Sequence, residues 1–61
     1  MGILDFIKLV RVHYPQFRSE IIDIVAIKNN EAMVSINGNY YFLSDTGKML
    51  NLNGEFVGLC N

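Results

Sequence analysis

Turn signals recur about every eight residues from position 29 onward, and this spacing constrains the fold more than any other feature. They are Asn29-Asn30, Asn37-Gly38, Asp45-Thr46-Gly47 and Asn53-Gly54. Asn-Gly is the strongest two-residue hairpin signal, because both central positions of a type I′ turn need positive φ. Asp-Thr-Gly suits a type I turn followed by Gly47 in the left-handed conformation. The segments between these turns have the length of average strands and read as strands over residues 31–37, 39–44, 48–52 and 55–60. The β-branched run Ile21-Ile22-Asp23-Ile24-Val25-Ala26-Ile27 supplies an earlier strand over residues 21–28. Five short strands in chain order, joined by tight turns, predict an antiparallel β-meander.

The N-terminal segment has a different period. At 100° per residue, Ile3, Phe6, Ile7, Val10 and Tyr14 fall on one arc, with Asp5, Lys8 and Arg11 opposite. The spacing predicts an amphipathic helix over residues 3–14. Pro15 lacks an N–H and restricts Tyr14, so the helix stops there or restarts as one further turn over residues 15–20. The fold class is therefore α+β, with one helix packed on a five-stranded meander that either stays open or curls into a small barrel.

Size makes the uncovered part of such a sheet matter. A chain of 61 residues is a single domain near the lower limit for independent folding. Small domains usually add disulfides, a metal or oligomerisation to a thin core. One cysteine, Cys60, makes no internal disulfide, and one histidine, His13, gives too few ligands for a structural zinc site. No cofactor is implied. Oligomerisation is the remaining common device.

Hairpin register decides which side chains share a face. Regular two-residue turns place Ile21, Val25, Ile27, Ala32, Val34, Ile36, Tyr41 and Leu43 together, and the helix is expected on that side. The opposite face then carries Ile22, Ile24, Ala26, Met33, Ser35, Tyr40 and Phe42, with Lys28 and Glu31 paired beside the turn. Beyond Asp45 the faces depend on whether the loop has three or four residues. A solvated sheet face normally alternates to polar residues, and this second face does not. Each large apolar side chain left wet forgoes roughly 1.5–3 kcal/mol of burial. The sheet is expected to close into a barrel, pair with a second copy, or bind a different protein. Ile22, Ile24, Met33, Tyr40 and Phe42 are the candidate partner-binding residues.

Chemistry-bearing residues are scattered. His13 near the helix end has Val12 and Tyr14 as neighbours, neither a general base nor a nucleophile, and reads as a helix C-terminal residue lining the sheet. Cys60 reads as a partly buried hydrophobe, or as a link between two chains in an oxidising compartment. Asp23 falls on the apolar face, where it sits at the sheet margin, marks a bulge or meets a partner's cation. Ser44-Asp45-Thr46-Gly47-Lys48 lacks the first glycine and the spacing of a phosphate loop. No two carboxylates are spaced as a general acid/base pair. An enzyme is not expected.

Tyr40, Tyr41 and Phe42 form an aromatic run that suits base stacking in a small barrel, and binding of single-stranded nucleic acid is the alternative function. The net charge of −1 and the absence of clustered Lys or Arg count against it. The apolar stretch from Ile3 to Val12 is too short and too interrupted to span a bilayer, and its acid is foreign to a signal peptide. A cytoplasmic, membrane-free protein is expected. Its function is read as a small non-enzymatic protein-binding module, a homodimer that acts by occupying a surface of a larger protein. This is also the size class of phage and mobile-element inhibitors of host proteins. Tyr14-Pro15, Ile21 to Ile24 and Tyr41 to Lys48 give residues 6–50 a loose resemblance to the β-domain of bacterial septum proteins of the FtsQ/DivIB type. The positions involved are generic hydrophobic and turn positions, and no family is assigned on them.

Overall fold

A computed structural model describes residues 2–58. The helix α1 runs from Ile3 to His13, and Pro15–Phe17 form one 3-10 turn. Four strands follow: β1 (Ile22–Lys28), β2 (Glu31–Ile36), β3 (Asn39–Ser44) and β4 (Met49–Asn51). All pairs are antiparallel, in the order β1-β2-β3-β4. The α+β expectation holds. The expectation of five strands and a closed barrel does not, because the sheet is open, with β1 and β4 at its two edges.

The fifth segment is reduced to a bridge. Leu50 and Phe56 pair in isolation, flanked by Asn51 N donating to Glu55 O (2.9 Å) and Val57 N donating to Met49 O (2.9 Å). At Gly58 the carbonyl accepts from Gln16 Nε2 (2.8 Å), so the chain has left β4 for the 3-10 turn. The expected strand over residues 55–60 is therefore not formed among the described residues, and Cys60 lies outside them.

The turns behave as their residues dictate. Asn37 (φ 51°) and Gly38 (φ 83°) both take positive φ, as a type I′ turn requires. Gly47 takes φ 92° at the end of the β3–β4 loop. Pairing of Leu43 with Met49 and of Phe42 with Leu50 fixes the faces beyond that loop. Asn51 builds the last turn by accepting from the backbone N–H groups of Asn53 (2.9 Å) and Glu55 (3.0 Å) through Oδ1.

One irregularity rearranges the faces predicted for β1. The ladder pairs Ile24 with Val34 and then Ala26 with Met33, leaving Val25 as an extra residue in a β-bulge. The inserted residue shifts the side-chain alternation by one. Ile22 and Ile24 therefore point to the helix side, opposite Ile36 and Val34, and Ile21 lies outside at 77% exposure. Asp23 moves to the open face opposite Ser35. The bulge removes the apparent conflict of an acid on an apolar face.

The core lies between the helix and one face of the sheet. Phe6, Val10 and Tyr14 supply the helical side, spaced one turn apart, and Ile22, Ala32, Val34, Ile36, Leu43 and Met49 the sheet side. Ile7 is half-buried and Ile3 is exposed, so the buried arc is narrower than its sequence pattern. Phe17 extends the core in an aromatic series, its ring 6.2 Å from Tyr14 and 5.9 Å from Tyr41.

The helix end is tied to the β3–β4 loop. The Tyr14 hydroxyl donates to Gly47 O (2.9 Å) in the core. The His13 ring lies so close to Gly47 that a β-carbon there would meet its Cδ2 at 2.8 Å. Gly47 is thus required twice, for its positive φ and for this approach.

Candidate functional site

The open face of the sheet is ordered in rows across the strands. Ala26 pairs with Met33, Met33 with Phe42, Phe42 with Leu50, and Leu50 with Phe56. Side chains directly opposite one another in a ladder lie on the same face, about 5 Å apart. One apolar residue from each strand, and one from the final bridge, therefore forms a single transverse row. With neighbouring strands about 4.8 Å apart, the row spans roughly 19 Å.

Polar rows flank it. On one side lie Lys28, Glu31, Ser44 and Lys48, with Lys28 paired to Glu31 and Glu31 to Ser44, and Ser44 N bonded to Lys48 O (2.8 Å). On the other side lie Asp23, Ser35 and Tyr40, paired in that order, and this margin ends on the apolar Leu52, 61% exposed, which shares a depression with Tyr40 and Phe56. The apolar row deepens into two shallow depressions that share Phe42 as a common wall. One is lined by Ala26, Lys28, Glu31 and Met33. The other is lined by Glu31, Lys48, Leu50 and Phe56.

Exposure varies along the row. Phe42 is 40% exposed and Phe56 is 72% exposed, while Met33 and Leu50 are half-buried by their neighbours. Helix α1 is on the other side of the sheet and covers none of this row. An apolar band with polar margins is the usual layout of a protein-binding surface, whose core is depleted in charge and whose rim is polar.

The five residues expected to bind a partner divide between the two faces. Met33, Tyr40 and Phe42 are on the open face. Ile22 is in the core at 7% exposure, and Ile24 is half-buried against that core. Those two assignments are corrected by the Val25 bulge. Leu50 and Phe56 join the site in their place. Their side chains could not be placed from sequence because the faces beyond Asp45 depended on the loop length. The aromatic run divides as well. Tyr41 packs against Phe17 on the core side, so only Tyr40 and Phe42 share the open face.

Other chemistry is sparse. Among the described residues no three His, Cys, Asp or Glu side chains gather in a metal-holding group. His13 is exposed and lies over Gly47, as a residue at a helix end against the sheet. Arg11 donates to the Arg18 carbonyl and ties the helix to the chain after the 3-10 turn. No helix among the described residues is long and apolar enough to cross a membrane. The chain matches no protein-family model, no curated protein and no solved structure, so the resemblance to septum proteins carries no argument.

Proposed function

We propose that this protein is a small non-enzymatic protein-binding module whose binding surface is the open face of its sheet. The observation that carries this reading is the transverse row Ala26–Met33–Phe42–Leu50–Phe56, bordered on one side by the row Lys28–Glu31–Ser44–Lys48. A domain of this size is stable by only about 3–5 kcal/mol. Covering the row with a partner recovers burial worth roughly 25 cal/mol per Å² of apolar area, on a scale comparable to that total. The module acts by occupying a surface, either on another copy of itself or on a larger protein.

The reading requires that the row serve association and contribute little to the protomer. Phe42→Thr and Phe56→Thr test this by urea unfolding in dilute solution. Each is expected to stay within about 1 kcal/mol of the parent, as exposed substitutions do. A loss of about 3 kcal/mol at each would place the row in the protomer's own core and remove the binding surface.

A further inference from the structure

We infer that the occupant of the open face is a second copy of this chain, packed sheet on sheet about a twofold axis that runs along the strands through Phe42. The inference rests on the binding-module reading and adds the partner and its orientation.

The row is self-complementary when reversed. A twofold axis parallel to the strands places β3 on β3 of the copy, β2 on β4, and β1 on the Phe56 bridge. Phe42 then meets Phe42, Met33 meets Leu50, and Ala26 meets Phe56. The smallest side chain of the row faces its largest and most exposed one, and two of similar size face each other, as interdigitating sheets require. Such an arrangement is isologous, each patch serving as its own partner.

The flanking charges obey the same reversal. In their row Glu31 lies on the β2 side of Ser44 and Lys48 on the β4 side. The axis through β3 therefore brings Glu31 of one copy onto Lys48 of the other, twice, with the two Ser44 residues near the axis. Packed sheets cross at about 30°, which offsets each pair by only about 4 Å in the plane, within the reach of a lysine side chain. A twofold axis along the apolar row instead lays Glu31 on Ser35 and Lys28 on Asp23, so it too brings opposite charges together, but it stacks Phe56 on Phe56 and Ala26 on Ala26. Side-chain size along the row selects the axis parallel to the strands, and the Glu31–Lys48 pairs distinguish it from the other arrangement, in which these two residues face no charge. The net charge of −1 adds little repulsion between copies.

The area sets the strength. The face is roughly 19 Å across the strands and about 20 Å along them. Its flat footprint of about 400 Å² is about half of what each partner contributes to a standard interface. Side-chain relief adds to this, but the dimer belongs to the weak, reversible class, with a mass that rises with concentration.

Charge reversal tests the orientation. Mass is followed by sedimentation equilibrium from the micromolar to the millimolar range for the parent, Glu31→Lys, Lys48→Glu and an equimolar mixture of the two variants. The parent is expected to approach the dimer mass. Each variant alone faces like charges twice and is expected to associate on the order of tenfold more weakly. In the mixture every pair is again of opposite sign, so the heterodimer is expected to form as readily as the parent dimer. Circular dichroism confirms that both variants fold. Should one not, Glu31→Gln and Lys48→Gln replace them, each weakening association by about threefold. A parent that stays monomeric overturns the second copy as occupant. A parent dimer indifferent to both reversals, with no preference in the mixture, overturns the orientation. Neither result touches the row's independence from the protomer core, which the threonine variants decide separately.

Discussion

The two faces of this sheet are built from alternate residues of the same strands and meet opposite fates. Leu43 is fully buried, and its neighbour Phe42 is 40% exposed. Ala32, Val34 and Ile36 are covered by the helix, while Met33 and Ser35 between them look out. The core face is closed by Phe6, Val10 and Tyr14, one helical turn apart, and by the hydrogen bond from Tyr14 to Gly47. The open face has an equally continuous apolar row, and no element among the described residues lies over it. Hydrophobicity alone does not decide what is core. A face becomes core when the chain supplies a second layer for it, and among the described residues helix α1 is that layer for one face.

The difference is broken most severely on the closed side. Leu43→Ala is expected to cost about 2–5 kcal/mol, enough to unfold a domain of this size, as circular dichroism and urea titration will register. Phe42→Thr, one residue away, leaves the dilute protomer folded. Gly47→Ala comes next, at about 1–3 kcal/mol, since it forces a side chain into positive φ and onto the His13 ring. Part of that loss is expected to return in the double variant with His13→Ala, so a double-mutant cycle will be non-additive. Tyr14→Phe removes the tie to Gly47 and is expected to cost about 1 kcal/mol. Deleting Val25 sharpens the comparison with the smallest effect. It converts the bulge into a regular ladder while keeping Ile22 and Ile24 inside and Ala26 outside, so a change within about 1 kcal/mol is expected. A deletion that unfolds the protein would show that the bulge is needed for more than register.

Much of this was legible in the residues. Asn37-Gly38 and Asp45-Thr46-Gly47 dictated their turns through φ, and the spacing of Phe6, Val10 and Tyr14 dictated the helix. On the open face, Met33, Tyr40 and Phe42 followed from the alternation of β2 and β3 once those turns were placed. The run from Ile21 to Ile27 was not legible in the same way. Its residues are apolar at nearly every position, so alternation carries no signal and a one-residue bulge leaves no trace in hydrophobicity. Asp23 was the available clue, because a shift of one residue takes its carboxylate off the apolar face. The last strand was over-read for a different reason. Residues 55–58 have strand composition, but Gly58 spends its carbonyl on Gln16 and the pairing stops.

Amide chemical shifts followed against protein concentration test docking of a second copy on the open face residue by residue. Shifts are expected to move at Met33, Phe42, Leu50 and their row neighbours as the second copy docks. Amides near Leu4 and Val12, the exposed apolar residues of the helix, are predicted to stay still. Spectra that do not change with concentration, or that change on the helix while the row is silent, would contradict it.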